Sequence, residues 1–524
     1  MASAAGQEPD AASAGRSASA ATPAEDVAQL PVRNHALLII GVMTASLMQV
    51  LDVTIANVAI PHMQATLGAT PDTISWVLTS YIIASAVAMP ITGWLADQIG
   101  SRRLFVLSVS LFVIASILCG LAQNLTEMVL FRALQGVGGA FIAPLSQSNL
   151  LDTTRPSRQP QIIALWGMGV IIGPIIGPVL GGYLTEMLDW RWVFFVNVPI
   201  GIVCLAILLV ELPSRPLRHR RFDLFGFAMI GLALAALQLL LDRGNMLDWF
   251  SAVETWIYAV IFGSCVWIAA IHFTTARNPL FDRHLFADIN FVVSVIFLLI
   301  VGATMFATLA LLPPMLQSLF SYDVIDTGLV LMPRGVGVLV TMQLSAQLLR
   351  RGVDGRWLVA LGFLTAAWSL YLMAGWSLDV DRFHFIYTGF LQGLGIGFVF
   401  IPLNSIAFQT LEPHLRTDGA SLLNLSRSVG SSLGISAVIT LASNNTQRHH
   451  AELAEHITPE MGHLVDPSSL DRYQQYGDAA LAVVNGEVTR QAAMMAYLDD
   501  FRIMALLCLA SVPLVLLLRK PRGT

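Results

Sequence analysis

Apolar residues dominate this chain in long unbroken runs, not in alternation with polar ones. Fourteen such runs follow one another, at 36–60, 75–97, 104–122, 127–150, 161–186, 192–211, 223–241, 254–275, 289–317, 326–349, 357–377, 383–411, 421–443 and 501–519. A bilayer core is crossed by about 20 apolar residues coiled as an α-helix. A lipid-facing barrel strand would alternate instead. Backbone in lipid has to satisfy its own hydrogen bonds, so each run is predicted as a membrane helix. In chain order these are spans 1 to 14.

The connections carry the charge. Seven alternate ones, counting the C-terminal tail, hold seventeen basic residues, among them Arg102, Arg103, Arg155, Arg158, Arg215, Arg218, Arg220 and Arg221. The six short connections on the other side hold only Arg191, Arg243 and Arg382. This asymmetry places both termini in the cytoplasm. Residues 1–34 are Ala/Ser-rich and polar, as a disordered tail would be. Span 1 is too long for a secretory h-region and is expected to stay uncleaved. The stretch 444–500 is expected as an outer loop whose several short amphipathic stretches could form surface helices.

Composition narrows the class. Of 524 residues, 55 % are apolar and 12 % charged, and the mean hydropathy is +0.69. That excludes a string of soluble domains, a coiled coil, a disordered chain and a disulfide scaffold. The net charge of −5 says little about partners, and no nucleic-acid partner is expected. Cys119, Cys204, Cys265 and Cys508 sit inside apolar runs without metal-type spacing and read as small core residues. The pair His449–His450 has no further ligand at a recognisable spacing. GLGIG (393–397) lies inside span 12 and follows no strand, and no phosphate-cradling GxxxxGK[ST] occurs. Neither an enzyme nor a metal or cofactor site is expected.

Ionisable groups deep in lipid are costly, and they face a cavity or a partner. Asp52 is the one acidic residue well inside a span; Arg132, Arg334 and Arg427 are the basic ones. Asp52 lies nine residues before Pro61, about 13 Å along the helix, and Arg132 about 7 Å from the same side on span 4. An arginine side chain can bridge that difference if the two helices adjoin. Burial and a nearby guanidinium act oppositely on a carboxyl group, so the pair suits reversible protonation. A fixed helix–helix ion pair is the alternative. Arg334 and Arg427, nearer the span ends, read as structural or snorkelling residues.

Span 5 concentrates Gly167, Gly169, Gly173, Pro174, Gly177, Pro178, Gly181 and Gly182. Glycines four apart admit a close neighbour, and the two prolines favour bending. The segment GWLADQIGSRRL (93–104) closes span 2 with Gly93, Asp97 and the pair Arg102–Arg103. It reads either as a topology signal or as a latch around Asp97.

These segments carry a family resemblance. Residues 93–104 resemble the loop between spans 2 and 3 of the major facilitator superfamily. FRALQGVGGA (131–140) resembles its span-4 motif, with Arg132 at the motif's arginine, and GVIIGPIIGPVLGG (169–182) its antiporter motif. LDVTIANVAIP (51–61) and WRWVFFVNVPIG (190–201) are similar to blocks of the fourteen-span drug:proton antiporters of the EmrB/QacA type, with the EmrB subgroup nearest. Gln98 and Ser101 depart from the basic residues usual in the loop motif.

The resemblance implies an all-α membrane protein of the major-facilitator fold: two six-helix bundles plus two inserted helices. It gives a cytoplasmic tail (1–34), an N-terminal bundle (35–211), the inserted helices with their linkers (212–288), a C-terminal bundle (289–519) and a short tail (520–524). It also implies a proton-driven multidrug exporter of the bacterial inner membrane. Energy would come from the proton gradient. Its partners would be small amphipathic drugs, protons, the bilayer, a periplasmic membrane-fusion adaptor and an outer-membrane channel. Asp52 and Arg132 would couple protons. Gly93, Asp97, Arg103, Gly173, Pro174, Gly177 and Pro178 would serve gating.

Uncharged polar and aromatic residues within spans are candidates for substrate contact in a mostly apolar cavity. They are Gln49, which shares the helical face of Asp52, with Asn57, Gln135, Trp166, Gln392 and Asn404. Interhelical hydrogen bonds are the plainer reading of each. Two other functions remain open: a narrow exporter of one metabolite, siderophore or lipid, and a non-transporting receptor or assembly subunit.

Overall fold

The computed structural model describes residues 26–456 and 478–519. Fourteen helices in it are long and apolar enough to cross a membrane. They run His35–Leu67, Trp76–Ile99, Ser101–Leu121, Leu125–Thr153, Pro156–Met187, Trp192–Glu211, Leu224–Gly244, Val253–Thr275, Ile289–Leu319, Ile325–Arg350, Gly355–Met373, Arg382–Gln409, Pro413–Glu455 and Ala482–Leu517. Each matches one predicted span. No strand occurs among the described residues. Spans 1–6 and 9–14 form two bundles, while inserted spans 7 and 8 pair with each other and dock through span 7 on span 2.

Two expectations are corrected. The stretch 444–500 is largely helix, because span 13 continues to Glu455 and the last helix starts at Asp478. His449 ties the two extensions by a 2.8 Å contact to Asp499, and His450 by 2.9 Å to Asn485. Residues 457–477 lie outside the described residues. The tail expectation also falls partly outside them, at residues 1–25, but residues 26–34 are docked. Asp26 accepts from the backbone N–H and the hydroxyl of Ser157, and Leu30 N–H donates to the Asp152 carbonyl. Asp26 thereby satisfies an orphan donor at the start of the Pro156–Arg158 turn.

Helix breaks fall where the sequence dictates them. Pro90 sits in a 3₁₀ turn, Met89–Ile91, within span 2. Span 4 breaks at Phe141, because Pro144 lacks the N–H that would reach Ala140. Span 9 holds a π segment, Gly302–Phe306, a register change common at functional sites.

Candidate functional site

Span 4 stands close to spans 2 and 3 because its motif glycines present no side chain. A Cβ on Gly138 would fall 2.8 Å from the Phe112 backbone nitrogen, and one on Gly139 would fall 2.6 Å from the Tyr81 hydroxyl. That packing carries Arg132 into the first bundle, where it meets Asp52. Both side chains are fully buried, and Nη1 of Arg132 lies 2.7 Å from Oδ2 of Asp52. The other carboxylate oxygen accepts from Gln135 Nε2 and Asn197 Nδ2, each at 2.8 Å. Arg132 also donates to the Val77 carbonyl at 3.1 Å and to Gln135 Oε1 at 2.8 Å. Its guanidinium lies 4.5 Å from the Tyr81 ring and 5.6 Å from that of Phe194. Donors surround both oxygens of Asp52, an arrangement that fits a carboxylate.

Asn197 and Tyr81 belong to this cage, yet the sequence reading passed them over. Asn197 is the one uncharged polar residue in the block WRWVFFVNVPIG, which also holds the charged Arg191. Gln135 is part of the cage, bonded to both Asp52 and Arg132. The other proposed contacts do not converge on one place. Gln49 is half-buried near the cage and Asn57 is exposed. Trp166 donates to Ser46 and stacks on Phe400 of the second bundle, with centroids 6.3 Å apart. Asn404 accepts from Gln147 at 2.7 Å, and Gln147 accepts from Asn424 at 3.0 Å. Trp166 and Asn404 thus join the two bundles. Gln392 is buried in the second bundle and donates to Thr308 at 3.1 Å.

A second constellation lies at the arginine-rich face. Asp97 meets Arg220 at 2.7 Å, and Arg220 reaches Asp418 of span 13 through both terminal nitrogens, at 3.0 and 3.4 Å. Asp152 meets Arg215 and, at 3.1 Å, Arg416. Ser421 donates to the Met89 carbonyl at 2.6 Å. Of these three arginines, Arg215 and Arg220 come from the linker between spans 6 and 7, and Arg416 from the start of span 13. Asp97 is therefore paired with Arg220, whereas Arg103 is exposed. Four arginines within seven residues (215–221) were the available signal, and the reading had taken them as topology alone. Burial beside Arg416 pulls the Arg215 pKa down to about 10, so it keeps its charge at neutral pH. Gly93 makes room for the clamp, because a Cβ there would land on the Asp418 carboxylate.

In span 5, Gly173 and Gly177 face span 1. A Cβ on Gly173 would fall 2.6 Å from Val50 Cγ1, and one on Gly177 2.7 Å from Thr54 Cβ. Pro174 and Pro178 lie within the same helix. Its outer flank packs on span 10, where Gly328 approaches Val179. Overpacking a tight site costs about 1–3 kcal/mol. Gly173→Leu is therefore expected to lower the thermal midpoint of the purified protein. Gly182→Ala, whose Cβ meets nothing within 4 Å, should leave it within error. Equal midpoints for the two variants would remove this interface role.

A bundle pair joined by such charge contacts, with an ion pair at the heart of one half, defines a major-facilitator architecture. The chain belongs to the Major Facilitator Superfamily, whose family model matches residues 42–435. It is 33 % identical over 506 residues to the multidrug export protein EmrB of Escherichia coli K12, covering 94 % of this chain and 98 % of that one. It is 35 % identical over 482 residues to the fatty acid resistance protein FarB of Neisseria gonorrhoeae, covering 91 % and 94 %. Among solved structures, the human organic anion transporter MFSD10 shares the fold at a TM-score of 0.56 and 14 % identity, covering 90 % of this chain and 99 % of that one.

Proposed function

We propose that this chain is a proton-driven exporter of amphipathic compounds in the bacterial inner membrane. It would exchange protons for substrate by alternating access, alongside a periplasmic adaptor and an outer-membrane channel. The observation that carries the reading is the fully buried Asp52–Arg132 pair. Relatives named for multidrug export and fatty acid resistance supply the substrate class.

With the arginine-rich face in the cytoplasm, the Asp97–Arg220–Asp418 clamp closes the inner side. Asp52 is sealed in this conformation, so proton exchange belongs to another one, in which the cage opens. Protonation of Asp52 would release Arg132 from its counter-ion and favour that other state. Substrate acts on the same balance only through its difference in affinity for the two states.

Proteoliposomes loaded with a pH-sensitive dye test the reading. Adding a lipophilic cation or a fatty acid under an imposed pH gradient should drive proton movement that depends on substrate. Substrate movement that ignores the gradient would overturn the coupling, and none across a broad panel would favour the non-transporting reading.

A further inference from the structure

The second bundle holds a buried cation, Arg334, with no ion-pair partner among the described residues. Arg334 is 4 % exposed on span 10, nine residues from the outer end of that helix, about 13 Å along its axis. This overturns the snorkelling expectation. One terminal nitrogen donates to the Met305 carbonyl at 2.6 Å, inside the π segment of span 9. The other, Nη1, is buried without a partner. Spans 9 and 12, which pack around it, contain no acidic residue. Span 10 has only Asp326, eight residues away at its outer end and turned to Arg382 at 3.5 Å. Span 5, behind span 10, has only Glu186 at its outer end.

Arginine cannot shed its charge to escape this cost. An unpaired buried charge is expensive, and a buried ion normally has a counter-ion. From span 12, Gln392 donates to Thr308, three residues beyond Met305 on span 9, and its Oε1 is also buried without a partner. Span 12 packs closely on span 10 here: a Cβ on Gly389 would fall 3.8 Å from the Arg334 Cβ, and Gly393 lets span 12 approach the Arg334 carbonyl. Two side chains with unsatisfied polar atoms, one from span 10 and one from span 12, therefore reach residues three apart on a helix whose register is already disturbed.

We propose that Arg334, with Gln392 beside it, is the head-group site for an amphipathic oxyanion, a long-chain carboxylate, whose tail lies among the apolar side chains of spans 9, 10 and 12. A carboxylate would take the free Nη1 in a charge-assisted bond. The site deepens the export reading by naming an acidic substrate subclass. Its test is independent of coupling, because binding in detergent requires no gradient.

The full-length protein in a non-ionic maltoside is titrated with dodecanoate, 1-dodecanol and dodecyltrimethylammonium by calorimetry. Dodecanoate should bind at least tenfold tighter than dodecanol. Arg334→Gln should erase that preference, and Arg334→Lys should keep part of it. Gln392→Glu, which supplies an internal counter-ion while leaving the arginine in place, should erase it too. Equal affinity of the unmutated protein for dodecanoate and dodecanol would overturn the site without any variant, as would a preference that survives Gln392→Glu. Displacement of dodecanoate by phosphatidylglycerol at lower concentration would assign the anion to a lipid head group and overturn the substrate reading.

Discussion

Asp52→Asn should abolish gradient-driven export and also destabilise the first bundle. Asparagine keeps the size of the side chain but turns an amide toward donors. Gln135, Asn197 and Arg132 all point N–H groups at the carboxylate, so at least one of them meets a donor in return. Arg132 is left as a buried charge without a counter-ion, and breaking such a pair costs about 3–5 kcal/mol. Loss of export alone would not separate coupling from folding. The neutral pair Asp52→Asn with Arg132→Gln separates them. Removing both charges takes away the uncompensated one, so stability should recover toward that of the unmutated protein. Export should stay absent, because no carboxyl group remains in the cage. Thermal midpoints in detergent and proton-coupled uptake in everted vesicles, at matched protein levels, give the two readouts. A double variant that exports as well as the unmutated protein would assign the pair a purely structural role.

The depth argument for Asp52 and Arg132 worked because helix rise is fixed, so sequence spacing converts to height. The helices proved to adjoin, and the 2.7 Å contact closes the level difference expected from spacing. Span count was legible for a similar reason, since apolar length answers directly to bilayer thickness. Azimuth was not legible. The hydrophobic runs are apolar all round, so nothing in the pattern says which face meets lipid and which meets a neighbouring helix. Trp166, Asn404 and Gln392 were therefore grouped as one path, while the structure spreads them over bundle contacts and the second bundle's interior. For Arg334, read as structural or snorkelling, burial removes only the second alternative, because a position along a helix does not reveal what stands opposite. The π segment that receives it follows from packing, and the run INFVVSVIFLLIVGATMF carries no sign of it. Arg220 was missed because a linker's charge was taken to report topology, whereas here it also supplies the clamp.

That clamp leads to the second large effect. Gly93→Ala adds one methyl group where the Asp418 carboxylate sits. The neighbour that has to give way is held on its far side by Arg220, which also holds Asp97. Moving Asp418 thus loosens the link between spans 2 and 13 as well as its own bond. Hydrogen bonds to charged groups are worth about 1.5–3 kcal/mol each, and 1.4 kcal/mol is a tenfold change in an equilibrium. Losing one such bond should therefore shift the balance at least tenfold toward opening at the arginine-rich face. Spin labels at exposed Arg158 and Arg351, one on each bundle, report it, because the four described cysteines are buried. The distance distribution should gain a longer population in Gly93→Ala and keep its original form in Gly182→Ala. Asp418→Ala in the Gly93→Ala background removes the clash and the bond together, so it should not restore the short population. Restoration there would mean that steric pressure, and not the charge clamp, holds this face shut.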